Sequence, residues 1–168
     1  MAIRQLRFEG DAILKKVAKH VKEITPNIIT LLEDMRETLH EKNGVGIAAP
    51  QIGVLKRIVV IEYEDVFYEL INPEIVETEG TQVSNEACLS VLGLCGDVER
   101  PAKMTVKALD RNYEPFTVVI EDFLASVFGH ELDHLDGILF LDKATNLQQI
   151  TQDQLEQRRA ERKKRFKN

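Results

Sequence analysis

The stretch Phe128-Gly129-His130-Glu131-Leu132-Asp133-His134-Leu135-Asp136-Gly137 decides how the rest of the chain is read. Two histidines four residues apart share one face of an α-helix, whose turn takes about 3.6 residues, so both imidazoles can reach one metal ion. Glu131 follows the first histidine directly and leans over the same ion, where it can act as general base on bound water. A bare His-x-x-x-His pair is more often two unrelated helix residues; the central glutamate and the setting shift the odds. Phe123, Leu124, Val127, Phe128, Leu132 and Leu135 leave the segment apolar nearly all round. This predicts a core helix over residues 122–135, stopped by Gly137. Two histidines and a glutamate on such a helix must be satisfied by something, and a metal is the economical partner.

A catalytic tetrahedral site takes three protein ligands and keeps one position open. No histidine follows His134, so the third ligand is a carboxylate or a cysteine from elsewhere in the chain. His20 and His40 lack ligand spacing and read as surface residues. The two cysteines, Cys88 and Cys95, are too few for a disulfide framework. Cys88, within Ser84-Asn85-Glu86-Ala87-Cys88-Leu89-Ser90, is the better cysteine candidate, and Cys95, in a glycine-flanked stretch, the weaker one. A lone cysteine of this kind is also commonly a small core residue.

The chain has 168 residues, one domain's worth over 1–168. It shows no apolar run of about 18 residues and no signal pattern. The expected location is the cytoplasm, and neither DNA nor a membrane is an expected partner. Residues 151–168 hold seven Lys/Arg against three Asp/Glu, whereas residues 1–150 hold 15 against 25. An acidic body with a basic tail points to a polyanion at the tail, if the tail is more than a solvated face.

Gly10-Asp11 opens a short helical pattern with Ile13, Leu14 and Val17 on its apolar side. A longer helix follows, capped by Thr25, begun by Pro26 and striped by Ile28, Leu32, Met35 and Leu39; it ends near Lys42-Asn43-Gly44. The uncharged stretch Gly44–Gly53 lacks the Lys-Ser/Thr of a phosphate loop, but its small residues let a ligand or strand approach the backbone. Residues 57–62, 69–71, 75–79, 103–110 and 116–121 read as strands, with 111–114 as a hairpin turn. Residues 91–99 read as a loop leading to Arg100-Pro101, and a last helix starts near Thr151. The expected fold class is α+β, with mostly antiparallel β-sheets packed around a central metal-site helix, N-terminal helices and a C-terminal helix.

Three stretches, Gly44–Gln51 (GVGIAAPQ), Glu86–Ser90 (EACLS) and His130–Gly137 (HELDHLDG), resemble in order and spacing the three motifs of peptide deformylases. The resemblance covers essentially the whole chain and is closest to the bacterial type with a helical C-terminus. It implies a hydrolase that removes the formyl group from the N-terminal formyl-methionine of nascent proteins and releases formate. It also implies one divalent metal on Cys88, His130 and His134, natively Fe2+, with Zn2+ or Ni2+ able to take its place. In that family metal-bound hydroxide attacks the formyl carbon, so Glu131 would be the general base and acid, with the Gln51 side chain and the Leu89 N–H stabilising the oxyanion. The peptide would lie like an added strand on the backbone of Gly46 and Ile47 and on Ala87. Ile47, Phe123, Val127 and the stem of His130, flanked by Glu86, would hold the methionine side chain.

Four positions depart from the family pattern: Ala87 for glycine, Gly129 for glutamine, Leu92 for proline, and Cys95 where some members place a substrate-contacting arginine. None is a ligand, the base or an oxyanion donor. Two other readings compete. A generic zinc peptidase leaves the first two motifs without a purpose, and a deformylase-like paralogue would bind formylated chains or the ribosome with little or no turnover.

Two expectations concern charge. Asp133 sits on a mostly apolar helix, where a lone carboxylate is costly, and Arg100 is its expected partner, as the family pattern also suggests. Arg158, Arg159, Arg162, Lys163, Lys164, Arg165 and Lys167 crowd the C-terminal helix, in which only Leu155 and Phe166 are large and apolar. That helix is expected to stand partly free of the core and, by the resemblance, to dock on the ribosome.

Overall fold

The computed structural model describes residues 1–165; Phe166 and Lys167 lie outside the described residues, as do the side chains of Arg162, Lys163 and Arg165. Helix α1 (Pro26–Glu41) starts with Pro26 in its first turn and Thr25 in extended conformation before it. Thr25 makes no side-chain cap bond, so the expected cap is one of position only. Helix α2 (Asp122–Leu135) has the bounds that its apolar surface predicts, and Gly137 follows it with φ +72. Helix α3 (Gln152–Arg165) closes the description. The first helical pattern is a single 3-10 turn over Ala12–Lys15, begun by the Asp11 carboxylate accepting from Ile13 N–H. Leu14 is buried there, but Val17 is 64% exposed and belongs to no apolar face.

Among the described residues, eight strands form two antiparallel sheets, and the fold is α+β. Strands β1 (Gly46–Ala48), β2 (Ile58–Tyr63), β3 (Val66–Glu79), β6 (Lys103–Leu109) and β7 (Pro115–Glu121) form the larger sheet in the order β1-β2-β3-β6-β7. Strands β4 (Gln82–Cys88), β5 (Val91–Arg100) and β8 (Thr145–Gln149) form the smaller one in the order β4-β5-β8. The Arg57–Glu62 run is apolar without alternation because helices cover both faces of the larger sheet. Ile58 and Val60 pack in the cluster with α1, while Val59 and Ile61 pack with Phe128, Leu132 and Leu135 of α2.

Three segments differ from expectation. The two strands read on either side of Asn72-Pro73 are one strand, β3, with register shifts after Ile71 and Ile75. Asn72 takes φ +51 at the irregularity, where a ladder can also tolerate proline. Its side chain bonds both N–H and C=O of Val21, each at 2.8 Å. The expected loop over 91–99 is strand β5, paired on both sides. Its glycines mislead because Gly96 serves close packing: a Cβ there would come within 3.1 Å of the Thr145 carbonyl. Strand β8, all exposed and polar apart from Leu147, has no periodic signal. No helix among the described residues is long and apolar enough to cross a membrane.

Candidate metal centre

Helix α2 packs on β1 and β2 with its polar residues turned toward β4. Cys88 ends β4, and its thiol, His130 and His134 are all buried. Their ligand atoms lie within 4.8 Å of one another, with Cys88 Sγ 3.4 Å from His134 Nε2. Two donors from the chain also point at the sulfur, Ser90 N–H at 3.4 Å and the Gln51 amide at 3.6 Å.

Each histidine is oriented by something different. His130 Nδ1 lies 2.8 Å from Glu86 Oε2; a carboxylate can only accept, so Nδ1 carries a proton and Nε2 is the ring nitrogen left for the site. Its ring stacks on Phe140, centroids 6.0 Å apart, and meets His134 edge-on at 5.2 Å. Burial holds the His134 pKa well below its ordinary value, with help from His130 and Arg100, and so favours the neutral ligand form. For His130 burial works the same way, but Cys88, Glu86 and Glu131 outweigh it and raise the pKa, because the surrounding groups favour positive charge there.

Arg100, at the end of β5, ties this shell together. Its Nε and Nη2 donate to the two oxygens of Glu86 at 2.7 and 2.9 Å, and its Nη1 donates to Asp133 at 2.6 Å. Asp133 also accepts from Lys143 at 2.9 Å. Burial works against the charges of Glu86 and Arg100. Their mutual bonds prevail, holding Glu86 below the usual carboxylate range and Arg100 above its own. Gly129, an entropic weakness by sequence, lies against this arginine: a Cβ there would approach Arg100 Cδ and Nη1 to 3.3 Å.

Glu131 is the exception to this pairing. It is buried, and its Oε2 has no hydrogen-bond partner among the described residues. Burial pushes its carboxyl up to about 7, with Glu86 adding to the rise and His130 and Arg100 opposing it. Gly46 makes room for it, since a Cβ on Gly46 would fall 2.7 Å from Glu131 Cγ and Oε1. Gln51 stands across the site with its carbonyl fixed by Ala48 N–H at 2.8 Å, so that its amide turns toward Cys88 and Ser90.

Gly46, Gln51, Glu86, Cys88, His130 and Glu131 open on a cleft of about 720 Å³. Its walls include Gly46 of β1, Ser84–Cys88 of β4 and, on α2, Phe123 and Val127. Strands β1 and β4 are each the outermost strand of their sheets, so the cleft is flanked by two strand edges. Ile47 is placed differently from its expected role in a methionine pocket. Alternation along β1 turns Gly46 toward Glu131 and Ile47 into the core with Leu32 and Met35, leaving only Ile47 backbone for a peptide. Glu86, expected beside that pocket, spends both carboxylate oxygens on Arg100 and His130. Leu89 lies in the two-residue turn between β4 and β5 and also lines the cleft. His20 and His40 are both exposed, and His40 Nε2 lies 2.6 Å from Glu62. Sequence reading did not single out Ser90, Phe140 or Lys143. Ser90 stood inside a quoted motif, whereas nothing in the pattern marked the other two.

Residues 3–150 match the family model described as polypeptide deformylase. The chain belongs to the peptide deformylase family. A peptide deformylase of Acetivibrio thermocellus is 54% identical over 164 residues, covering 98% of this chain and 95% of that protein. One from Carboxydothermus hydrogenoformans is 52% identical over 147 residues, covering 88% and 97%. Among solved structures, the peptide deformylase of Thermotoga maritima superposes with a TM-score of 0.84 at 36% identity, covering 86% of this chain and 99% of that one. That of Legionella pneumophila has a TM-score of 0.83 at 38% identity, covering 99% and 98%. The family model ends just before α3. Of the departures from the deformylase pattern, Ala87 lines the cleft, Gly129 packs on Arg100, and Leu92 is 72% exposed. Cys95 is buried in β5, opposite Gln148 of β8.

Proposed function

We propose that this chain acts as one catalytic unit that removes the formyl group from the N-terminal formyl-methionine of nascent proteins and releases formate, as the names of its relatives suggest. The observation that carries the reading is the cluster of Cys88, His130 and His134 beside a buried Glu131, whose Oε2 has no partner among the described residues, in a cleft flanked by two strand edges. The donor set fits one divalent ion. The Sγ–Nε2 separation of 3.4 Å is close to the edge of roughly 3.6 Å that Zn–S and Zn–N bond lengths give a tetrahedron. Thiolate plus imidazole suits Fe2+, the native metal proposed here, as well as Zn2+ or Ni2+. When bound, the ion supplies Lewis-acid chemistry, acidifying water and polarising the formyl carbonyl.

The remaining work falls to the chain. Glu131 takes a proton from the attacking water and returns it to the amine that leaves as the C–N bond breaks; a carboxyl near neutrality serves both steps. The Gln51 amide, aimed by Ala48 N–H, and the Leu89 N–H donate to the developing oxyanion. The peptide adds as a strand against Gly46, the Ile47 backbone and Ala87, with its methionine side chain against Phe123 and Val127. Glu86, Arg100 and Asp133 position His130. We place this activity in the cytoplasm and assign the basic residues that crowd the C-terminal end of the chain to docking on ribosomal RNA, a contact that weakens steeply with salt.

The test is turnover. Iron-loaded protein prepared without oxygen is expected to release formate from a formyl-Met peptide, and no release would sink the reading. Metal analysis of Cys88→Ala is expected to show lost stoichiometry or affinity; an unchanged value would remove the thiolate from the site. Ribosome binding at low salt is expected to weaken when residues 152–168 are deleted.

A further inference from the structure

Helix α3 does not merely project from the body: it bridges the mouth of the cleft. Arg158 Nη1 donates to Asn85 Oδ1 of β4 at 2.6 Å, and Arg159 Nη1 reaches the Lys42 carbonyl, at the end of α1, at 3.4 Å. Leu155, Arg158 and Arg159 line the same cleft as the metal centre. Two facts set this rim apart. In a chain of net charge −6, the charged residues lining the cleft beyond Glu86 and Glu131 are all cations: Arg4, Lys42, Arg158 and Arg159. Arg4 is neutralised by Asp34 at 2.6 Å, but Lys42, Arg158 and Arg159 have no ion pair among the described residues. The nearby acids are occupied or set back. Asp97 accepts from Asn85 and Asn146 at 2.7 and 3.0 Å, and Glu156 acts on Arg159 only through its field. Burial lowers the Arg159 pKa, as expected for a cation that lacks a close counter-charge.

We propose that Arg158 and Arg159, with Lys42, form a subsite that selects an acidic side chain at the third residue of the formylated peptide. The proposal rests on reading the cleft as a formyl-peptide site. Its register follows from strand geometry. Ala87 and Asn85 are two residues apart on one face of β4, and an extended peptide advances about 3.3 Å per residue. With the formyl group at Cys88 and the methionine level with Ala87, the third residue arrives at Asn85, where Arg158 is held. A carboxylate there gains a guanidinium partner in a partly desolvated cleft, while a lysine meets like charge.

The test uses full-length, iron-loaded enzyme and C-terminally amidated peptides, so that no terminal carboxylate interferes. Formyl-Met-Ala-Glu amide is expected to exceed formyl-Met-Ala-Lys amide in kcat/KM by roughly fivefold at low salt, mainly through KM, with the ratio shrinking at high salt. Arg158→Glu is expected to invert the ratio, and Arg158→Lys to keep most of it. A ratio near one in the wild type, or one unchanged by Arg158→Glu, overturns the proposal. Calorimetric binding of the unformylated Met-Ala-Glu and Met-Ala-Lys amides reads the same preference without turnover. Failure of deformylation as such therefore shows separately from failure of the subsite.

Discussion

Helices α2 and α3 both run 14 residues and both line the cleft, yet nine residues of α2 are buried and none of the described residues of α3 is. On α2 His130, Glu131 and His134 sit where water is excluded, so their behaviour depends on their partners. Glu86 orients His130, Arg100 holds Glu86 and Asp133, and Glu131, left unpartnered at Oε2, keeps its proton up to about 7. On α3 the described charges keep at least part of their surface near water, and Arg158 and Arg159 have no ion pair among the described residues, so these cations remain available to a ligand. Burial thus suits a helix to chemistry, and exposure suits one to selection.

The largest effect is expected at Glu131. Glu131→Gln should lower kcat by about 10²–10⁴-fold while metal content stays at the wild-type level, because only proton transfer is lost. Substantial kcat in the metal-loaded variant would reduce Glu131 to a packing residue. Arg100→Leu comes next. It leaves the buried Glu86 without its guanidinium, while Asp133 keeps Lys143 at 2.9 Å; this should cost roughly 3–5 kcal/mol in denaturant unfolding, and a loss under about 1 kcal/mol would show that the network relaxes into solvent. Gly46→Ala should spare the fold but push Glu131 from its place, lowering kcat by up to roughly 100-fold. Unchanged kcat would mean that the carboxylate has room that the 2.7 Å approach denies. The smallest effect belongs to α3: removing residues 152–168 should change unfolding free energy by less than about 1 kcal/mol. A larger loss would erase the contrast between the helices.

The differences between pattern and structure have physical causes. The bounds of α2 follow from its composition, since a helix apolar nearly all round can only be buried and Gly137 ends it in a conformation that other residues resist. Strand β5 was hidden because Gly93 and Gly96 read as loop residues, whereas Gly96 is required by the approach of β8, whose own polar residues carry no period. Strand β1 was hidden inside a run of small residues, although the same run announced that something must come close to the backbone. That something includes Glu131, against which Gly46 lies.

By itself the sequence determined the two histidines and Glu131 on one helix face, the α+β class, the need for a counter-charge near Asp133, and the crowding of cations in the tail. These follow from periodicity and composition, which act over a few residues and can be counted. Which cysteine joins the histidines was left open by spacing and is answered in the fold, where β4 ends against α2 and sets Cys88 Sγ 3.4 Å from His134 Nε2. Glu86 as the carboxylate behind His130, Ile47 turned away from the cleft, and α3 laid across its mouth are likewise tertiary facts. Each depends on contacts between residues a dozen or more positions apart, and no local pattern records where such partners meet.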